Sequence, residues 1–219
     1  MADWSASTVQ LVDAGNSPRR STSFAQRIAK RSFDIAVALV ALVLLSPLLL
    51  VIAIAIRLDS NGPILFRQVR EGYLLSAFTI LKFRTMLHRG QPRFEQARRD
   101  DPRVTTVGAY LRAASFDELP QLFNVLSGSL SLVGPRPHVP ELSARYATRI
   151  EGYYERLDVR SGITGLAQIS GLRGETETLA RMAARVRVDQ EYVRTWTFAG
   201  DLVICIKTLF TPLGQDRAY

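Results

Sequence analysis

The chain has 219 residues, 47% of them hydrophobic, with a formal charge of +8 and a pI near 10.1. That length supports one catalytic core with an appendage and leaves no room for a second large domain. The basic balance points to an acidic partner, whether nucleic acid, an anionic membrane surface or a phosphorylated substrate. A single cysteine, Cys205, excludes an internal disulfide, and His88 and His138 are too few for a Cys/His zinc cluster.

Residues 1–24 are rich in Ser, Gly and Asn and lack periodicity, which predicts a mobile tail. Ile35 to Ile56 then form an apolar run of 22 residues without a charge, long enough at about 1.5 Å per residue to cross a hydrocarbon core of roughly 30 Å. Two features complicate a simple span. Pro47 removes a helix hydrogen bond to Val43, so a kink is expected at Ser46-Pro47. Basic residues also flank both ends: Arg27, Lys30 and Arg31 before, Arg57, Arg67 and Arg70 after. The positive-inside rule then puts both ends on the cytoplasmic side. Split at the proline, halves of 12 and 10 residues would make a hairpin dipping into one leaflet. A kinked span remains the other reading, because membrane helices tolerate proline when the freed groups find partners.

ILFRQVREG and SAFTILKFRTM predict a small β-hairpin turning near Gly72. Residues 87–103 are polar and charged, as in an exposed loop or short helix. Leu119, Leu122, Phe123 and Leu126 recur at helical spacing, as do Leu179, Met182, Ala183, Val186 and Val193. Near the C-terminus, Trp196 and Phe198 precede the short apolar run LVICIKTLF. This predicts a helix at the membrane interface or one packed on the core.

The strongest local signal is LRAASFDELP, with adjacent carboxylates Asp117 and Glu118 beside Arg112. Because proline must lie in a helix's first turn, Asp117 is the earliest candidate cap, and on this stretch alone a capping role is the better reading. The functional alternative makes one carboxylate a nucleophile toward phosphorus and gives its neighbour a divalent ion, with magnesium the natural choice. Lys82, Arg84, Arg112 and Arg136 are the cations available for phosphate, Arg136 being held between prolines in Gly134-Pro135-Arg136-Pro137. Asp189 lies on the apolar face of its helix, where a carboxylate should be paired. Asp100-Asp101, beside Arg98 and Arg99, reads as a solvated charged loop.

KRSFD, Ser46-Pro47, KFRTM, the LRAASFDELPQLFNVLSGSLSLVGPRP block and GITGLAQISG occur here in that order. Together they resemble the bacterial initiating sugar transferases of the monotopic phosphoglycosyl transferase superfamily, over about residues 30 to 215. The resemblance implies that Asp117 attacks the sugar-linked phosphorus of a UDP-sugar, releases UMP and passes the phosphosugar to undecaprenyl phosphate. It implies Mg2+ at Glu118 and Asp117, and phosphate contacts from Lys82, Arg112 and Arg136. Arg173 stands in for an arginine that many members carry just after the AQISG-like block, and Asp189 joins the substrate-binding candidates. Ser161 replaces a proline common before GITG, and the run after Gly174 looks most like members handling glucose 1-phosphate in exopolysaccharide assembly, with galactose left open.

The implied architecture is α+β and mainly helical, a monotopic membrane protein with a re-entrant helix hairpin broken at Ser46 and Pro47. It divides into a tail (1–24), the hairpin (25–60), a catalytic domain (61–195) and a C-terminal interfacial helix and tail (196–219). The implied setting is the cytoplasmic face of the bacterial inner membrane, among membrane lipids and without nucleic acid, with a homodimer left open. Two other functions stand beside this one. A glycosyltransferase moving the sugar alone would release UDP, and a membrane-tethered binding module for polyanions would catalyse nothing.

Overall fold

The computed structural model describes residues 23–88, 101–174 and 178–210. Residues 1–22 of the expected N-terminal tail and most of the 87–103 loop lie outside the described residues. Helix α1 runs from Phe24 to Asp59, eleven residues beyond the apolar run at its N-terminal end and three at its C-terminal end. It starts there because Ser23 and Gln26 form a reciprocal capping box, each side chain accepting the other's backbone N–H at 3.2 and 3.1 Å. Pro47 sits inside α1 without ending it. The carbonyl of Val43, which proline cannot serve, instead accepts the Ser46 hydroxyl at 2.8 Å.

Only 17% of the most apolar stretch of α1 is buried, which sets it apart from the core helix of a soluble domain. By length and composition it is sufficient to cross a membrane. Both of its arms pack on the same domain. On the N-terminal arm, Ala38 and Leu42 join one core cluster with Ile80, Val125 and Val133, and Arg31 donates to the carbonyls of Val125 and Leu126 at 2.7 and 3.0 Å. On the C-terminal arm, Ile52 and Ile56 join Phe83 and Leu111 in another. Between the arms, Val43, Leu44, Leu50 and Val51 are exposed.

Strands β1 (Leu65–Glu71) and β2 (Ala77–Phe83) form the expected antiparallel hairpin, with Phe66 opposite Lys82. Helix α2 (Thr106–Ala113) follows, capped by Thr105. The helix expected around Leu119–Leu126 is split: a 3-10 turn spans Phe116–Glu118 and α3 covers Gln121–Ser127. Pro120 between them has no N–H, and the N–H groups of Leu122 and Phe123 donate to the Leu119 and Pro120 carbonyls, each at 3.1 Å. Strand β3 (Ser131–Val133) pairs in parallel with β4 (Gly162–Thr164), and α4 (Pro140–Tyr146) and a 3-10 turn at Tyr153–Leu157 lie on the connection between them. The short α5 (Leu166–Ile169) leads to α6 (Leu179–Thr195), whose Met182 and Val186 are fully buried against Tyr146, Ile150 and Tyr153.

Helix α7 (Phe198–Phe210) packs on the core as one of the two expectations has it, and it also carries an exposed apolar side. Asp201 and Ile204 face the core, while Val203, Ile206, Leu209 and Phe210 are exposed. Asp201 is fully buried and well partnered, accepting from Tyr192 at 2.8 Å, from Trp196 at 3.1 Å and from Lys30 at 3.0 Å. Lys30 also pairs with buried Asp34 at 2.9 Å, whose other oxygen accepts from Ser131. These contacts tie α1, β3, α6 and α7 together and satisfy carboxylates that would otherwise be costly to bury.

Candidate active site

The dyad is presented by a strained turn. Ser115 adopts φ 58° and ψ 20°, the left-handed region, immediately before Phe116–Glu118. The expectation that Asp117 caps a helix is corrected here: the N-cap of α3 is Pro120, no side chain caps it, and neither carboxylate bonds the α3 backbone. A side chain with no capping duty is available for chemistry.

Lys82 projects from the end of β2 and Arg136 from the loop after β3, and both reach Glu118. Lys82 Nζ lies 2.8 Å from Glu118 Oε1 and 3.8 Å from Asp117 Oδ2. The Arg136 guanidinium donates to both Glu118 oxygens, a bidentate pairing. Burial pushes the Glu118 carboxyl up, but the charges of Arg136 and Lys82 overcome it and hold the group well below the usual carboxylate range. Burial raises Asp117, and Lys82, although it opposes the rise, does not cancel it. Two adjacent carboxyls are thus driven apart, one firmly ionised and the other harder to ionise.

Arg112, in the last turn of α2, has its pKa lowered by burial, with Asp117 the largest charge opposing that shift. Its Nη1 is buried with no hydrogen-bond partner among the described residues, so it retains a donor for an anion. Arg173 donates to the hydroxyl of Ser115, at the root of the dyad's turn. Lys82, Arg112, Arg136 and Arg173 are therefore gathered around Asp117 and Glu118.

Two expected substrate contacts are placed elsewhere. Arg84 is buried and donates to the carbonyls of Ile56, Asn61 and Ser60 at 3.2, 3.0 and 2.6 Å, where it closes the C-terminus of α1. β2 ends at Phe83, so Arg84 leaves the strand that aims Lys82 at the dyad. Asp189 is paired with Arg156, Oδ2 to Nε at 3.0 Å, and both side chains are almost fully buried. It has no surface for substrate, and the pairing expected of a carboxylate on an apolar face is what the structure contains.

Three further arginines surround the site without a sequence motif to mark them. Arg70 donates to the Pro137 carbonyl at 3.2 Å and is pushed down to about 10 by burial and then by the nearby Arg136 charge. Arg185 donates to the carbonyls of Leu172 and Gly174 and is likewise lowered to about 10 by burial first and Arg136 second. Arg156 lies between Asp189 and the main chain of Arg136. Such a concentration of positive charge suits an oligophosphate.

Turnover that depends on anionic Asp117 should be lost as pH falls through its raised pKa. The acidic limb of kcat against pH is expected above the ordinary Asp value of 3.8. Replacing Lys82 by Met should move that limb higher still, because Lys82 is the largest charge opposing the rise. A limb at or below the ordinary value, unmoved by the substitution, would contradict a nucleophilic role.

Comparison with known proteins places the chain in a family. Residues 25–215 match the family described as bacterial sugar transferase. A protein of Caulobacter vibrioides named UDP-glucose:undecaprenyl-phosphate glucose-1-phosphate transferase is 50% identical over 193 residues, covering 88% of this chain and 72% of that protein. The protein of the same name from Escherichia coli K12 is 46% identical, with 88% of this chain but only 42% of its own length covered. The exopolysaccharide production protein PSS of Rhizobium leguminosarum is 41% identical and is covered over 98% of its length. The chain belongs to the bacterial sugar transferase family.

Proposed function

We propose that the protein transfers glucose 1-phosphate from UDP-glucose to undecaprenyl phosphate, as the first membrane step of exopolysaccharide assembly. The carrying observation is the asymmetry of the dyad: Lys82 and Arg136 both bond Glu118, while among the described residues the one ion pair of Asp117 is the long contact with Lys82 at 3.8 Å. An Asp117 oxygen attacks the sugar-linked phosphorus, the P–O bond to the uridylyl phosphate breaks, and UMP leaves with that electron pair. An oxygen of the lipid phosphate then attacks the same phosphorus and restores the Asp117 carboxylate. Lys82, Arg112 and Arg136 offset charge on the phosphates, and the relatives' names support this choice of substrates.

Adjacent carboxylates offering only oxygen donors fit a magnesium ion, which takes one or two carboxylates and completes its shell with phosphate oxygens and water. Glu118, beside Asp117, would hold it, and when bound it would offset charge on the diphosphate. The functional test is the nucleotide released by nanodisc-purified protein given UDP-glucose, magnesium and undecaprenyl phosphate. UMP supports phosphosugar transfer. UDP would mean transfer of the sugar alone, and release of neither nucleotide would favour a polyanion-binding module.

For the membrane we propose that α1 dips into one leaflet and returns at Ser46-Pro47, with the exposed face of α7 lying at the same interface. If straight, α1 would separate Arg31 from Ile56 by about 37 Å. Yet Arg31 bonds the Val125 carbonyl inside α3, and the cluster holding Ile56 packs on Leu119, two residues before the start of that seven-residue helix, itself only about 10 Å long. Cysteine labels at positions 27 and 57 of α1, in a Cys205→Ser background, should be modified from the same side of sealed vesicles. Labelling from opposite sides would establish a full span instead.

A further inference from the structure

We propose that Arg156 is a positioning residue for phosphosugar transfer, acting through the main chain of Arg136, and that buried Asp189 orients it. The inference rests on the reading of the site given above, in which the Arg136 guanidinium serves Glu118 and phosphate.

The segment Gly134–Pro137 has an unusual anchoring problem. Pro135 and Pro137 have no N–H, so the loop can be held at those residues only through its carbonyls. Each carbonyl from 135 to 137 is in fact held. The Pro135 carbonyl accepts from Gly162 N–H at 3.0 Å, the Pro137 carbonyl accepts from Arg70 at 3.2 Å, and between them the Arg136 carbonyl accepts from Arg156 Nη2. Gly134 and Gly162 permit the close approach: a Cβ on Gly134 would lie 2.2 Å from the Arg160 carbonyl oxygen, and one on Gly162 would lie 2.1 Å from Gly134 N.

Arg156 is itself fixed on its other sides. Its Nε donates to Asp189 at 3.0 Å, and its guanidinium lies 5.8 Å from the centre of the Tyr153 ring. With 1% of its side chain exposed and 3% of Asp189's, the pair touches no substrate. Among the described residues its one link to the chemistry is the Arg136 carbonyl, on the residue whose guanidinium reaches Glu118. A planar fork spans Asp189 and that carbonyl together, which a lysine ammonium cannot do.

The test compares Arg156→Lys with wild-type protein in nanodiscs, and adds Asp189→Asn as a near-isosteric second variant. Arg156→Lys keeps a positive charge beside Asp189 but loses the second arm. The folded variant is expected to show kcat lower by about 100-fold, the scale of a small misplacement of a catalytic group, with KM for UDP-glucose moved far less. The carbon-13 chemical shift of the Arg136 guanidinium reads the displacement without turnover and is expected to change. Unchanged kcat and an unchanged Arg136 signal in folded Arg156→Lys would overturn the proposal. So would failure of both variants to fold, which would make the pair purely structural. A wild-type enzyme releasing no UMP while the Arg136 signal still responds to Arg156→Lys would sink the functional reading and leave the positioning relation standing.

Discussion

Asp117→Asn is expected to lower UMP release by about four to six orders of magnitude, the scale seen when a nucleophile or its essential partner is removed. The substitution changes little else. Asp117 caps no helix, and its nearest cation is 3.8 Å away, so asparagine should be accommodated with the fold intact. The amide cannot form a stable acyl phosphate. Intact folding by thermal unfolding together with lost turnover is the expected pair of results, and appreciable turnover by Asp117→Asn would remove it as the nucleophile. Asp117→Asn should also abolish exchange of labelled UMP into UDP-glucose in the absence of lipid, because that exchange reports the first half-reaction alone.

Arg136→Ala should cost about 100- to 1000-fold in kcat, the range for removing one preorganised donor from a developing charge. The loss has two sources. Glu118 keeps only Lys82, so its carboxyl moves up toward the ordinary range, and the phosphate loses a guanidinium held in place by its own clamped main chain. Arg136→Lys should recover only part of the activity, since an ammonium cannot reproduce the bidentate pairing with Glu118. Full activity in Arg136→Ala, measured by single-turnover UMP release, would assign Arg136 a structural role only.

Elements governed by local chemistry were legible in the sequence. The β-hairpin followed from two β-rich runs around Gly72, the α6 helix from its apolar spacing, and the apolar part of α1 from length alone. Helix ends were less legible. Ser23 and Gln26 carry a capping box that extends α1 to Phe24, ahead of the tail boundary expected from composition. The split between the Phe116–Glu118 turn and α3 depends on a left-handed Ser115, a conformation that a non-glycine residue does not advertise.

Within the site, the dyad, Lys82, Arg112 and Arg136 stood out because each sits in a distinctive block. Arg84 was misplaced because its proximity to Lys82 in sequence says nothing about where β2 ends and the closure of α1 begins. Arg70, Arg156 and Arg185 were missed for a related reason. Each reaches the site through a main-chain carbonyl contributed by a distant segment, and no spacing within one segment encodes such a contact.

The most direct measurement is the intact mass of the protein after brief incubation with UDP-glucose and magnesium without lipid, followed by peptide mapping. The expected result is one added hexose phosphate on the peptide containing Asp117, removed when undecaprenyl phosphate is supplied and absent from Asp117→Asn. UMP released with no adduct on that peptide, or an adduct that persists in Asp117→Asn, would contradict a covalent intermediate on Asp117.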